Sequence, residues 1–169
     1  ARASGLGSRG VDPLLVGPMP APGIAFLTRS LRADAGVAIS ASHNPFEDNG
    51  IKFFDSKGSK LSDELEEQIE GFLDGPALTR DSTGLGKATR VDKSRVVYQE
   101  FCASTMPPGM NLEGLKIVID CANGAAYKVA PRVLADLGAE IIPIGCSPNG
   151  RNINLRCGST APELLQLTV

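Results

Sequence analysis

The segment from Leu115 to Ile144 constrains the fold most, because its hydrophobic pattern changes period twice. Leu115–Ile119 and Glu140–Ile144 are short apolar runs of the length that β-strands have. Between them apolar residues recur at helical spacing, and Gly138 stands where such a helix would end. Strands joined through a helix run parallel, so the segment predicts a βαβ unit and the α/β fold class.

The turn inside this unit, Asp120–Gly124, reads Asp-Cys-Ala-Asn-Gly. It is only loosely similar to a nucleotide-binding turn, because the G-x-G-x-x-G pattern is absent, and a structural turn with Asn123 or Gly124 at positive φ is favoured. Pro131 is tolerated only in the first turn of a helix, so the helix is predicted to begin near Lys128. The stretch Gly84-x-Gly86-Lys87 lacks the spacing of a phosphate-binding P-loop and is interpreted as loop.

A second segment, upstream, places a polar loop between two strands. Gly36–Ile39 is an apolar run that suits a buried strand, and Ser40–Pro45 (Ser-Ala-Ser-His-Asn-Pro) interrupts it. Asp48–Gly50 is a tight-turn signal, and Ile51–Phe54 reads as a second strand. The loop therefore lies at the C-terminal end of a strand, where open α/β sheets place their ligands.

The residue types in this loop suit a serine that carries a phosphoryl group. Such a serine has nearly two negative charges and three acceptor oxygens, which cations and N–H donors stabilise. Ser42, His43 and Asn44 lie together, and Lys52 returns on the next strand. The alternatives are a Ser/Asn-rich turn with a surface histidine, and a strand lysine that faces solvent.

A hydrolase triad built on Ser42 and His43 is disfavoured. Neighbouring side chains on an extended segment point to opposite sides, and a triad needs its base within hydrogen-bond reach and oriented by a third group. No G-x-S-x-G motif is present. The acidic run Asp63–Glu67 could suggest a metal site, but a solvated helix face is the favoured interpretation.

Other patterns predict the remaining elements. A strand is predicted at Val11–Val16, with Pro13 making a start at Leu14 the better boundary. Helices are predicted from Pro22, after a Ser62 cap, from Asp92 and from Ala161, whereas residues 79–93 read as loop. The helix after Ser62 carries one apolar stripe, Leu65, Ile69, Phe72 and Leu73.

Charge and cysteine content exclude several classes of protein. Lys and Arg number 17 against 19 Asp and Glu, so the chain has no basic field for nucleic acid and no polybasic membrane patch. The four cysteines form no C-x-x-C pair, which disfavours a zinc site and favours reduced thiols in a cytoplasmic protein. The chain begins at Ala1 as if within a helix and stops abruptly near Leu167, so we expect it to be a piece of a longer protein.

The run ISASHNPFEDNGIKFF resembles the active-site serine loop of the α-D-phosphohexomutases and is most similar to their phosphoglucosamine mutase branch. The resemblance continues through GPMPAPGIAFLTRSLRADAG upstream and through LKIVIDCANGAAYKVAP, LGAEIIPIG and SPNGRNIN downstream. It therefore covers nearly the whole chain. Ala21 departs from the family's usual threonine.

The resemblance implies two partial α/β domains of the phosphohexomutase type, with mixed sheets flanked by helices. They would cover residues 1–106, with the serine loop, and 107–169, with the boundary at Met106–Met110, where two prolines and a glycine interrupt both periodicities. The isolated 169-residue chain is expected to be inactive, because the family's metal loop and sugar-binding segments would lie outside it.

The resemblance also implies an intramolecular phosphoryl shift between glucosamine 6-phosphate and glucosamine 1-phosphate. Phosphorylated Ser42 would donate to the substrate, giving a sugar bisphosphate, and Mg²⁺ would bind the serine phosphate. His43 and Asn44 would position that phosphate, and Lys52 would transfer a proton or stabilise charge. The runner-up activities are those of phosphomannomutase and phosphoglucomutase, and a non-catalytic phosphate-accepting module is a further alternative. A homodimer of the full-length protein is compatible with this interpretation.

Overall fold

The computed structural model describes residues 2–76 and 79–169, and the predicted α/β class is confirmed. Ala1, where the predicted helix tail begins, lies outside these residues. Two short 3₁₀ turns, Phe46–Asp48 and Ala125–Lys128, lie between β2 and β3 and between β5 and α5 of the elements given next. The elements follow the order α1 (Arg2–Gly7), β1 (Leu14–Leu15), α2 (Ala21–Ser30), β2 (Ala35–Ser40), β3 (Gly50–Asp55), α3 (Asp63–Gly71), β4 (Thr89–Arg90), α4 (Ser94–Ser104), β5 (Lys116–Asp120), α5 (Ala130–Asp136), β6 (Glu140–Ile144) and α6 (Glu163–Thr168).

The chain forms two compact units, the first from the described parts of Ala1–Gly17 and Leu61–Ser94. Its sheet is the parallel pair of β1 and β4. The predicted strand shortens to start at Leu14, as Pro13 suggested, and the Pro13 carbonyl accepts a hydrogen bond of 2.9 Å from the Thr89 N–H. The prediction of loop throughout 79–93 was wrong at β4, because two residues are too few to give a periodic signal.

Helix α3 of the first unit departs from its sequence pattern. Ser62 is the N-cap residue, but its hydroxyl does not bond the helix backbone. It bonds the Glu64 carboxylate, which lowers the pKa of Glu64. The predicted apolar stripe is not buried, since Leu65 is 46% and Phe72 80% exposed. Within the described residues α3 has no buried side chain, so its amphipathic pattern has no core partner there.

The second unit, Pro18–Lys60 with Arg95–Val169, contains the serine loop. Strands β2 and β3 pair antiparallel from Ala35 opposite Asp55 to Ser40 opposite Gly50. Helix α2 packs on this pair, and a Cβ at Gly36 would overlap the Thr28 hydroxyl. Glycine at this position is what allows the helix to approach the strand so closely.

The prediction that Gly36–Ile39 is a buried strand holds for one face only. Ala38 is buried on the face that carries α2, whereas Val37 and Ile39 are 40% and 47% exposed on the other face. Successive side chains of a strand alternate between its two faces. A strand covered by one helix therefore buries only every second residue.

The predicted βαβ unit is confirmed. Strands β5 and β6 run parallel with five residue pairs, and α5 connects them. The α-helix begins at Ala130, later than the predicted start near Lys128, because a 3₁₀ turn occupies Ala125–Lys128 and Pro131 sits in the first helical turn. The short C-terminal helix likewise begins at Glu163, after the predicted Ala161.

An aromatic cluster ties α4 to α2 inside the second unit. The rings of Phe26 and Phe101 stack with centroids 4.1 Å apart, and Tyr98 is buried beside them. All four cysteines are free thiols. Among the helices described, none is both long and apolar enough to cross a membrane.

Candidate active site

The loop that follows β2 presents three exposed polar residues, Ser42, His43 and Asn44. Ala41, just before them, is buried and anchors the start of the loop. Ser40 is half-buried, and its hydroxyl oxygen accepts a hydrogen bond of 3.0 Å from the Ser42 N–H. Ser40 thus bonds the loop backbone at the end of the strand, and Ser42 lies farther along the loop.

Ser42 adopts a left-handed backbone conformation with φ of 56°. A residue other than glycine costs roughly 1–2 kcal/mol in this region, so the surrounding structure must hold it there. The turn brings Ser42 Oγ to 3.4 Å from His43 Nδ1. The prediction that these side chains point to opposite sides was therefore wrong, because it assumed an extended segment.

This contact does not make a hydrolase triad. In the described part of the chain no carboxylate bonds the His43 ring, so no third group orients it. What the loop offers is a solvent-facing hydroxyl with an imidazole beside it. The backbone N–H groups of Ser42 and Asn44 donate within the loop, to Ser40 Oγ and to the Ala41 carbonyl, whereas the His43 N–H has no acceptor among the described residues.

Lys52 lies on β3 opposite Ala38. Because residues 36, 38, 40 share one face of β2, Lys52 lies on the face that α2 covers, and it is half-buried there. Two strand residues, or about 7 Å, separate Lys52 from Gly50, which pairs with Ser40 at the root of the loop.

A residue that the sequence analysis did not single out joins the loop from far along the chain. Asn154 Nδ2 donates hydrogen bonds to the carbonyl oxygens of Ser42, at 3.0 Å, and of Asn44, at 2.7 Å. Its sequence lies in the run SPNGRNIN, where three asparagines follow β6 within six residues. That density of amides is a signal for a hydrogen-bonded loop, but it does not identify the partner.

The turn after β5 holds the backbone of Asn154, whose N–H donates to the Ala122 carbonyl. Asp120 accepts hydrogen bonds from the Ala122 N–H at 2.8 Å and the Gly158 N–H at 2.6 Å. The prediction of positive φ holds for Asn123, at 49°, but Gly124 has φ of −96° and Ala122 takes the second left-handed position. Burial raises the pKa of the nearby Cys121 thiol to about 12, and a bond from Cys146 adds to the shift.

The described residues contain no group of three or more His, Cys, Asp or Glu side chains that could hold a metal ion. In the acidic run at the start of α3, Asp63, Glu64 and Glu67 are exposed and Glu66 is half-buried. The side chains that the structure describes therefore do not by themselves fit a Mg²⁺ site, which needs several oxygen ligands around one ion.

Comparison with known proteins shows that the chain is similar to sugar-phosphate mutases. The sequence model described as phosphoglucomutase/phosphomannomutase, alpha/beta/alpha domain I, matches residues 1–78. A phosphoglucosamine mutase from Cereibacter sphaeroides is 60% identical over 163 residues. The match covers 96% of this chain and 36% of the relative, so the chain spans about a third of that protein's length.

Solved structures show the same fold. A phosphoglucomutase/phosphomannomutase family protein from Burkholderia thailandensis is 29% identical with a TM-score of 0.73, over 97% of this chain and 36% of that one. An N-acetylphosphoglucosamine mutase from Aspergillus fumigatus, solved with GlcNAc-6P and magnesium, is 16% identical with a TM-score of 0.56. That match covers 86% of this chain and 41% of that one, and at this identity it supports the fold alone.

Proposed function

Since the chain belongs to the phosphoglucomutase/phosphomannomutase family, we propose that the full-length protein interconverts glucosamine 6-phosphate and glucosamine 1-phosphate. Here the term full-length protein means a protein that contains this chain and is as long as the relatives. The 60% identity to a phosphoglucosamine mutase favours this substrate over glucose or mannose phosphates. We assign the phosphoryl carrier to Ser42.

The presentation of Ser42 is the observation that carries this proposal. Its side chain is exposed at the C-terminal end of β2, in a left-handed turn, with His43 Nδ1 3.4 Å from its hydroxyl. A phosphoryl group on that oxygen would meet the imidazole and the unused N–H of His43 as donors. Asn44, the next exposed side chain, is proposed to position the phosphate together with His43.

The proposed reaction moves one phosphoryl group out and another back. Phosphorylated Ser42 transfers its phosphoryl group to the free hydroxyl of the hexosamine phosphate, leaving a serine hydroxyl and a hexosamine 1,6-bisphosphate. The bisphosphate reorients, and Ser42 Oγ takes the phosphoryl group from the other position. In each step the attacking hydroxyl loses a proton and the leaving oxygen gains one, so the site needs a proton carrier.

Lys52 is the proposed proton carrier or charge stabiliser. Its position on the same strand face as Ser40, about 7 Å along β3 from the root of the loop, keeps it near the reacting phosphate. In the described part of the chain its ammonium makes no ion pair or hydrogen bond, so no internal partner competes with substrate. A half-buried lysine with this freedom suits the task better than a solvated one.

The cofactor we propose is Mg²⁺, bound to the phosphate on Ser42. The described residues supply no carboxylate cluster for it, so its other ligands would come from outside this chain, and we assign it no step here. The choice of ion follows from the chemistry of Mg²⁺, which proteins commonly bind through one or two carboxylates together with phosphate oxygens. For the full-length protein we also propose a domain boundary between residues 106 and 107, a cytoplasmic location and a homodimer.

A substrate comparison tests the function. We expect kcat/KM of the full-length protein to be higher with glucosamine 6-phosphate than with glucose 6-phosphate or mannose 6-phosphate. A preference for either of the latter would favour the phosphoglucomutase or phosphomannomutase activity instead. Stable phosphorylation of Ser42 without turnover of any sugar would favour the phosphate-accepting module.

The isolated 169-residue chain provides a second arm of this test. Phosphoryl transfer depends on positioning and on charge stabilisation by metal and cations, and the described residues offer no metal cluster. We expect no turnover from this chain with Mg²⁺, glucosamine 6-phosphate and bisphosphate. Turnover equal to that of the full-length protein would show that the chain contains the whole catalytic machinery.

A further inference from the structure

We propose that Asn154 is a positioning residue, which holds the serine loop in the conformation that presents Ser42. The inference rests on the proposed function, because it concerns the same loop. Asn154 Nδ2 donates to the Ser42 carbonyl at 3.0 Å and to the Asn44 carbonyl at 2.7 Å. The carbonyl groups of the two residues that flank His43 are therefore both bonded by one side chain that lies 110 residues or more away in sequence.

The chemistry of this contact allows only one orientation of the amide. Both partners are carbonyl oxygens, which accept hydrogen bonds and never donate them. The amide nitrogen carries two hydrogens, one for each carbonyl, whereas the amide oxygen would face them without a proton. Aspartate at this position would place acceptor against acceptor, although it has nearly the same size and shape as asparagine.

The other end of Asn154 is fixed to the βαβ unit. Its backbone N–H donates to the Ala122 carbonyl at 2.8 Å, and its φ is 59°. Ala122 is in turn bonded to the Asp120 carboxylate, which also accepts the Gly158 N–H. Cys121 and Cys157 are buried beside these bonds. The turn that holds the Asn154 backbone is therefore well packed, whereas the serine loop is exposed. Asn154 thus connects an exposed loop to a buried turn within one compact unit.

The consequence for the reaction is one of placement. Among the described residues of the loop, Ser42 contacts the Ser40 hydroxyl and His43 Nδ1, and its left-handed conformation is unfavourable by itself. Loss of the Asn154 bonds would allow the Ser42 hydroxyl and the His43 ring to leave the positions that this loop conformation gives them. A displacement of about 1 Å at a reacting group can cost about 100-fold in rate.

Two variants of the full-length protein separate the side chain from its backbone. Asn154→Asp keeps the size and the tolerance for positive φ, but replaces the donors with acceptors. Asn154→Gly removes the side chain and relieves the left-handed conformation. Asn149→Asp is the matched control, because it makes the same charge change in the same segment, and its Oδ1 can still accept from the Arg151 N–H.

The readout is the single-turnover rate of phosphoryl transfer from Ser42 to glucosamine 6-phosphate, with KM and Tm measured alongside. We expect both Asn154 variants to lower this rate by about 10–100-fold while KM changes by less than about threefold, with Asn154→Asp the slower. Asn149→Asp should transfer at nearly the parent rate. This split between rate and KM is what a merely structural role would not produce.

The outcomes that overturn the inference differ from those that overturn the function. If Asn154→Asp and Asn154→Gly transfer as fast as Asn149→Asp, while Ser42→Ala has no turnover, only the positioning role is wrong. If the rates fall only in proportion to the fraction of folded protein, it is also wrong. If Ser42→Ala keeps turnover, the proposed function fails and the positioning role fails with it. Should Asn154→Asp not fold, Asn154→Gly alone decides the result.

Discussion

Two turns of the second unit share a left-handed residue shortly after a strand but differ in burial and in the hydrogen bonds that hold them. The serine loop after β2 and the turn after β5 each place a non-glycine residue at positive φ, Ser42 and Ala122. The turn after β5 is held by the Asp120 carboxylate and lies beside buried thiols. The serine loop is exposed, and its long-range hydrogen bonds, within the described residues, come from Asn154. The turn after β5 therefore holds the Asn154 segment in place, whereas the serine loop presents Ser42 to solvent and depends on that segment.

This difference means that changes in the two turns should affect different properties. In the serine loop they should reduce the rate of phosphoryl transfer with little loss of stability. In the turn after β5 they should lower stability first, because its bonds are partly buried.

The largest effect is expected at Lys52, beside the serine loop. Lys52→Ala in the full-length protein should lower kcat by about 10²–10⁴, the range for general acid–base groups. The fold should persist, because the ammonium makes no internal bond among the described residues. Steady-state kinetics with a Tm measurement check this, with Lys57→Ala, in the turn after β3, as the control. A normal kcat and kcat/KM would remove Lys52 from the reaction.

The next effect is on stability, at Asp120. Asp120→Ala removes two hydrogen bonds from backbone N–H groups and should lower the free energy of unfolding by about 2–4 kcal/mol. Asp81 is the matched control, because it also bonds backbone N–H groups, of Thr83 and Gly84, but in an exposed turn. Denaturant unfolding should show a clearly smaller loss for Asp81→Ala. Equal losses would contradict the description of the β5 turn as the firmer one.

A smaller effect of opposite sign is expected at Ala122, whose φ is 53°. Ala122→Gly should raise stability by about 0.5–1 kcal/mol, because glycine adopts this conformation without strain. Ala125→Gly, in the 3₁₀ turn that follows, should not stabilise the fold. Thermal unfolding of the pair tests whether the strain is real. Destabilisation by Ala122→Gly would mean that its methyl group packs more favourably than its backbone is strained.

At neutral pH the smallest effect is expected at Cys121, because its contribution changes only at alkaline pH. Burial raises the pKa of this thiol from 9.0 to about 12. Above pH 9 the unfolded chain therefore loses a proton that the folded chain keeps, so this contribution to stability is complete below pH 9 and is lost as pH rises to 12. Cys121→Ala should reduce the fall in stability over that range, whereas Cys102→Ala, at a half-exposed thiol, is the control. An unchanged pH profile for Cys121→Ala would contradict the burial of this group.

The sequence predicts those parts of the fold whose signals are local. The βαβ unit was found because the period of its apolar residues changes between strand and helix, and the serine loop because polar residues separate two strands. The stripe on α3 shows the limit of this approach, since the pattern indicates an apolar face but not what covers it. The left-handed turn at Ser42 was missed because nothing in Ser-Ala-Ser-His-Asn specifies it without its distant partner.

Asn154 lies beyond local prediction for the same reason. Its two acceptors are backbone carbonyls, which every residue has, so no side-chain pattern at positions 42 and 44 identifies the contact. Only the fold, which brings the segment after β6 to the loop after β2, makes the pairing visible. The resemblance to a mutase family led to the proposal that Ser42 reacts, but it did not indicate what holds that serine in place.

The assignment of the phosphoryl group to Ser42 is the central claim, and phosphopeptide mass spectrometry of the full-length protein tests it most directly. Ser40 is the internal control, two residues away, half-buried and bonded to the Ser42 N–H through its hydroxyl. After incubation with hexosamine 1,6-bisphosphate we expect phosphate on Ser42 and none on Ser40, and no phosphate on this peptide in Ser42→Ala. Phosphate on Ser40 with Ser42 unmodified would contradict the account.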